Sequence, residues 1–272
     1  MPTTRPLFVI CLRANSLLFY PSGNNVPISN GCISSINLDD NAILAAARKL
    51  KHSNSPGPDG IPATLLKKCV LPLLVPLSHL FRLSLATGKF PVDWKQAYMF
   101  PVHKKGDRSN VNNYRGISAL CAVSKLFELV IILPIFSHCQ HAISDDQHGF
   151  LPKRSTATNL LCFTSYVFES FAQRPQTDAI YTDLSAAFDK VNHRIIVAKL
   201  ERYGFRGALL HWMESYLTGR TISVKIGDEL SIFFLQHLVS RKAVTWDRWC
   251  FYYILTTQII RYEAHACHSQ MT

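Results

Sequence analysis

The sequence predicts a mixed α/β (α+β) chain, and three observations carry that reading. Helical and strand-like periodicities alternate from about residue 37 to residue 228. Clusters of turn residues separate them, the densest being Ser53-Asn54-Ser55-Pro56-Gly57-Pro58-Asp59-Gly60. Hydrophobic residues make up 48% and charged residues 17%, a balance that can bury a core and excludes a disordered chain.

Each element follows from local chemistry. Asp39 or Asp40 can cap a helix over residues 42–50, whose end carries Arg48, Lys49 and Lys51. Residues 65–85 have a helical pattern in which Pro72 and Pro76 predict an early break or kinks, with Gly88 and Pro91 ending it. Residues 94–102 and 114–120 read as two strands of a hairpin whose tip, from Lys104 to Asn113, is polar and basic. Helices are expected over 124–136, 155–171, 186–203 and 209–217, and strands over 178–183 and 221–226, with Gly227-Asp228 as a hairpin turn. The first thirty or so residues read as a loosely structured lead-in. No segment reads as long and apolar enough to span a bilayer.

The net charge is +11, an excess that suits a polyanionic partner such as nucleic acid and equally suits plain solubility. The 8 cysteines form no C-x-x-C pair, so they read as reduced, mostly buried thiols of an intracellular protein.

The chemistry concentrates in Asp183-Leu184-Ser185-Ala186-Ala187-Phe188-Asp189. Asp183 closes an apolar strand at the turn into a helix, where a carboxylate can meet a metal ion. The small residues Ser185, Ala186 and Ala187 leave backbone N–H groups open to a phosphate. Transfer of a phosphoryl group with two Mg²⁺ ions requires carboxylates that hold the ions roughly 3.5–4 Å apart. One carboxylate is half of that arrangement; a plain helix cap at Asp183 and a surface ion pair at Asp189 are the structural alternative.

Five blocks occur in a fixed order: K-H-S-N-S-P-G-P-D-G-I from Lys51, the stretch from Pro91 to Leu120 with its K-K-G-D and N-Y-R-G-I-S, Q-H-G-F…R-S-T from Gln147, D-L-S-A-A-F-D-K-V-N-H from Asp183, and Y-L-T-G-R from Tyr216. In that order they resemble the reverse transcriptase domain of non-LTR (LINE-type, jockey-like) retrotransposons over about residues 37 to 228. The resemblance implies a right-hand polymerase with fingers at 37–175, an incomplete palm at 176–232 and an aberrant tail at 233–272, after a lead-in at 1–36. It implies an RNA template, a DNA primer and deoxynucleoside triphosphates as partners, Mg²⁺ as cofactor, and neither a membrane nor a protein partner.

Residue by residue, the resemblance makes Asp183 the catalytic, metal-binding carboxylate. Phe188 becomes the bulky residue that selects against a 2′-hydroxyl, with Ala186 and Ala187 beside it. Arg115 becomes the arginine that approaches the triphosphate, with Lys104 and Lys105 at the hairpin tip. Gln147, Gly149, Phe150 and Arg154 are expected near the template; Phe150 as plain core and Arg154 as a surface charge remain the alternative. Gly116 stands where the family usually has proline.

After Asp228 the family continues through S-G-V-P-Q-G-S-x-L-G-P to an F-A-D-D-type turn that supplies the other catalytic carboxylates. This chain shows neither. The genetic code offers a reason. If each codon starts at the third base of the one before, Trp246-Asp247 must yield glycine and Trp249-Cys250 must yield valine. Ordinary codon choices then permit P-Q-G-S-H-L-G-P-V-V-F-L-L-Y-I-N-D over residues 240–257. A shift of reading frame near Phe233-Phe234 is expected, leaving a chain with one catalytic carboxylate that is incomplete as a polymerase.

Overall fold

The computed structural model describes residues 31–143, 147–149, 151–173 and 193–235. Seven helices and five strands lie in these residues: α1 (Asp40–Lys49), α2 (Ala63–Lys68), α3 (Val70–Thr87), β1 (Gln96–His103), β2 (Tyr114–Leu120), α4 (Ala122–Cys139), α5 (Thr156–Gln173), α6 (His193–Arg202), α7 (Gly207–Leu217), β3 (Thr221–Ile226), β4 (Glu229–Leu230) and β5 (Phe234–Leu235). This is the mixed helix and sheet arrangement that the sequence predicts. The expected strand at 178–183 and the start of the helix at 186 lie outside the described residues.

Local chemistry sets the boundaries. Asp39 is the N-cap of α1, yet its side chain makes no capping bond. Its carboxylate accepts from Asn41 Nδ2 at 3.1 Å instead. Asp40 reaches across to α3, accepting from Ser78 Oγ at 2.7 Å and pairing with Arg82 at 3.1 Å. The helical pattern at 65–85 divides at Cys69 into α2 and α3. Pro72 falls in the first turn of α3, where its missing N–H costs nothing, and Pro76 lies inside the helix. Gly88 ends α3 at φ 64°, in the left-handed region. Trp94, expected in a strand, belongs to a 3₁₀ turn at Val92–Lys95 that precedes β1.

One core joins the helices. Phe81 of α3 stacks on Phe127 of α4 at 4.2 Å, and Trp212 of α7 meets Phe127 edge-on at 5.3 Å. Phe90 sits between Trp212 at 5.4 Å and Tyr216 at 5.1 Å, both edge-on. The Trp212 indole donates to Ser84 Oγ at 2.9 Å, and Ser84 donates to the Lys89 carbonyl at 2.6 Å, so the buried polar atoms of this contact are paired. Residues assigned to fingers and to palm thus share one apolar interior: α1, α3 and α4 lie in the same cluster as α6 and α7.

Two expectations need correction. Residues 31–36 are not loose lead-in. Ile33 forms a parallel bridge with Phe205, exchanging bonds with the Gly204 carbonyl and the Arg206 N–H at 2.9 Å each, and Ser34 accepts from Leu209 N–H at 3.2 Å. Likewise, α3 and α4 are long and apolar enough, by length and composition alone, to cross a membrane. α4 is a core helix that buries Leu126, Phe127, Val130, Ile131 and Ile135, whereas α3 packs one side on α1 and α7 and leaves Leu71, Val75 and Leu83 exposed. The sequence expectation missed them because serine, histidine and single charges interrupt the apolar letters without lowering the mean hydropathy much.

The sheet has the order β2-β1-β3-β4, with β5 also on β3. β1 and β2 are antiparallel with Val102 opposite Arg115 and Ala97 opposite Leu120. β1 and β3 are parallel with Ala97 beside Ile222 and Tyr98 beside Ser223. A strand called fingers and a strand called palm are therefore neighbours in one sheet.

Candidate nucleic-acid interface

The hairpin tip is a constructed turn. Lys104 N–H donates to the Asn113 carbonyl at 2.8 Å and closes the loop. Gly106 takes φ 83°, and a Cβ there would lie 2.7 Å from Asn113 Nδ2. Asp107 accepts from the Ser109 backbone at 2.9 Å and from its hydroxyl at 2.6 Å, bonds that hold its carboxyl below the usual range. Asn113 Nδ2 donates to the Asp107 carbonyl at 2.8 Å, and the Tyr114 hydroxyl donates to the Arg108 carbonyl at 2.9 Å. The polar residues are thus spent on the loop itself, which leaves Lys104, Lys105 and Arg108 exposed on a defined turn.

Side chains alternate across a strand, so the register sorts the sheet into two faces. One carries Tyr98, Phe100 and Val102 from β1, Arg115, Ile117 and Ala119 from β2, and Ser223 and Lys225 from β3. On this face the Lys225 ammonium lies 5.6 Å from the centre of the Tyr98 ring, and Phe233 stacks beside the same ring at 6.3 Å. Glu229 pairs with Ile226 and so belongs to the other face, as does Met99. Within β1, β2, β3 and β4 the Tyr98 face therefore bears two cations and no carboxylate. Aromatic planes and cations without acids are what a single-stranded nucleic acid requires.

Two glycines set how closely the neighbouring parts approach. A Cβ on Gly57 would lie 2.7 Å from the Leu120 carbonyl oxygen, so the S-P-G-P-D-G-I turn lies directly against the backbone that joins β2 to α4. Asp59 of that turn accepts from Ile61 N–H at 3.2 Å. Burial, with the Asp59 charge second, pushes the Cys121 thiol up to about 11. Gly116 faces Met99 across the strand pair: its Cβ would lie 2.7 Å from the thioether sulfur. The residue that departs from the family pattern is one over which a methionine lies.

A second group of expected residues gathers in one loop. Arg154 donates to the Gln147 carbonyl at 2.8 Å, and the Gln147 amide donates to the Gly149 carbonyl at 3.1 Å. Gln147 is buried. Ser155 and Thr158 cap α5 reciprocally, each hydroxyl accepting from the other's N–H, at 3.2 and 2.9 Å. His148 Nδ1 meets the Thr158 hydroxyl at 2.9 Å. Gln147, Gly149 and Arg154 thus form one small network ahead of α5. Phe150, Asp183, Ala186, Ala187 and Phe188 lie outside the described residues.

Behind the sheet, Arg220 donates to the Tyr216 carbonyl at 3.0 Å and lies 4.7 Å from the centre of the Tyr216 ring. The Tyr216 hydroxyl donates to Glu128 at 3.0 Å, joining α7 to α4 through a fully buried carboxylate. Burial and then the Arg220 charge lower the pKa of both Lys95 and His193. None of Tyr98, Lys225, Lys95 or His193 stood out in the sequence as a site residue. The alternation in 94–102 and 221–226 places Tyr98 and Lys225 on faces, but only the parallel register shows that it is the same face. Among the described residues no group of three His, Cys, Asp or Glu side chains could hold a metal ion.

The family model for "Reverse transcriptase (RNA-dependent DNA polymerase)" matches residues 102–241, just over half of the chain. The chain is 28% identical over 193 residues to a probable RNA-directed DNA polymerase from transposon BS of Drosophila melanogaster, covering 70% of this chain and 21% of that protein. It is 26% identical over 221 residues to the RNA-directed DNA polymerase from mobile element jockey of the same fly, covering 80% and 23%. A Pol polyprotein from type-1 retrotransposable element R2 of Popillia japonica is 24% identical over 174 residues, covering 64% and 24%. The chain thus spans about a fifth to a quarter of the length of these relatives. With the family model on β2 through β5 and polymerases of mobile elements matching most of the chain, this protein belongs to the reverse transcriptase (RNA-dependent DNA polymerase) family, in its non-LTR, LINE-type branch.

Proposed function

We propose that this chain binds a primer–template and an incoming deoxynucleotide as the fingers and adjoining palm of an RNA-directed DNA polymerase, and that alone it does not complete the reaction. The carrying observation is the sheet face with Tyr98, Phe100, Arg115 and Lys225 and no carboxylate, continued by the Lys104-Lys105 tip. In the reaction of the family the primer 3′-oxygen bonds to the α-phosphorus, the bond to pyrophosphate breaks, and the hydroxyl proton is lost. Arg115, Lys104 and Lys105 would meet the triphosphate charge, and Gln147, Gly149 and Arg154 the template. Asp183 would hold Mg²⁺, the ion that supplies charge neutralisation at the phosphates, but a two-ion site needs further carboxylates. A nucleic-acid-binding remnant without catalysis is the second reading, and it is favoured by the single expected catalytic aspartate.

Fluorescence anisotropy with an RNA template annealed to a DNA primer tests the binding. We expect affinity that falls steeply with salt, and a weaker slope in the double variant Arg115→Ala, Lys225→Ala, each phosphate contact contributing about 0.7–0.9 to the slope. Salt-independent binding, or a slope unchanged in that variant, would defeat the interface. Primer extension with Mg²⁺ separates the two readings. Incorporation that disappears in Asp183→Ala would show the chain to be a complete polymerase.

A further inference from the structure

The described sheet stops on an apolar edge. β5 pairs with the start of β3, Phe234 beside Ile222 and Leu235 beside Thr221. Around it Ile232 is 86% exposed, and Phe233, Phe234 and Leu235 about half exposed. The family match stops at Arg241, although the chain continues to Thr272. The exposed edge at 232–235 thus lies just before the point where the family match ends.

Resting on the polymerase reading above, we infer that the missing carboxylate turn is encoded by the last codons of this chain, in the phase that restores the pattern at residues 240–257. In that phase the Met271 and Thr272 codons, ATG and ACN, can give only GAC, an aspartate. The Gln270 and Met271 codons give GAT or AAT, aspartate or asparagine. The Ser269 and Gln270 codons permit GCA, alanine, and the His268 and Ser269 codons permit TTC, phenylalanine. Residues 268–272 thus permit F-A-D-D in that phase, with the second aspartate alone fixed by the code. It follows the restored apolar run after a short connection, and two further carboxylates are what a two-ion site demands. Phe233 and Phe234 supply at least four thymines, an unbroken run where the Phe233 codon is TTT, and loss of one base there produces this phase. The apolar edge at β5 is then the seat of the protein read in the other phase.

The inference fixes four third bases: His268 as CAT and Ser269 as TCG for the phenylalanine and alanine, and two more that decide it. Tyr262 followed by Glu263 gives arginine if tyrosine is TAC and a stop if it is TAT, so TAC is required. Gln270 must be CAG, because CAA turns the first aspartate into asparagine. Sequencing the natural transcript decides this whatever the protein does: TAC with CAG supports the inference, and TAT or CAA overturns it. The second measurement restores one thymine in the Phe234 codon, translates onward through the natural transcript, and assays primer extension with Mg²⁺ beside primer–template binding. We expect incorporation where the original chain gives none, and its loss when the aspartate read from the Met271 and Thr272 codons is changed to asparagine. A restored chain that binds primer–template without incorporating, or that incorporates equally well with the asparagine, overturns the inference. Failure of the original chain to bind primer–template counts against the interface instead and leaves the codon result standing.

Discussion

Gly57 and Gly116 look alike in the sequence, each a glycine inside a block of the family pattern, yet the structure gives them different costs. A methyl group on Gly57 would collide with backbone at the Leu120 carbonyl, which cannot turn away without moving the junction of β2 and α4. A methyl group on Gly116 meets the Met99 thioether, the flexible end of an adaptable side chain. Gly57→Ala should therefore cost about 1–3 kcal/mol, as overpacking does, and Gly116→Ala distinctly less. Urea denaturation of the two variants side by side checks this, and equal losses would refute the assignment. The thiols divide in the same way. Burial holds Cys139 up at about 12 and Cys121 up at about 11, whereas Cys32 and Cys162 are exposed. At pH 8 the native chain should give up Cys32 and Cys162 quickly to a thiol reagent while Cys121 and Cys139 react only on unfolding. Mass spectrometry of the labelled peptides reads the order.

At the scale of elements, the sequence was most legible where a period is clean. The strand at 221–226 and the hairpin at 96–120 lie where alternation and the K-K-G-D turn put them. Helix ends were less legible, since the caps Cys69 and Cys121 make no side-chain capping bond and only packing decides that α2 stops and α4 starts there. Arg115 and the two tip lysines were readable from motif order, but Lys225 was not. Its role depends on β1 and β3 lying parallel and side by side, a contact between residues more than a hundred positions apart. Because the Lys225 ammonium lies over Tyr98, the pair should act as a unit on nucleic acid. Lys225→Ala and Tyr98→Ala should each weaken binding of a single-stranded RNA, and the double variant should lose less than the sum. Strict additivity in a double-mutant cycle would mean that the two residues do not share a ligand.

For the whole molecule, the consequential fact is that one core underlies what the resemblance divides into fingers and palm. Phe81 and Phe127 come from the earlier part and Trp212 and Tyr216 from the later; Phe127 stacks on Phe81 and meets Trp212 edge-on, and Phe90 joins Phe127, Trp212 and Tyr216. The buried Glu128 receives the Tyr216 hydroxyl across the same seam. A boundary near residue 175 thus divides one core. It would leave Phe81, Phe90 and Phe127 facing water on one fragment, at about 1.5–3 kcal/mol each a loss comparable with the roughly 5–15 kcal/mol by which domains are stable. Residues 31–175 expressed alone should therefore fail to fold cooperatively. Trp212→Ala in the full chain should cost about 3–5 kcal/mol and lower a single transition, because the ring is packed by both parts at once. Calorimetry on that variant tests it: two separated transitions, with the earlier part melting as in the parent, would mean that fingers and palm are independent bodies after all.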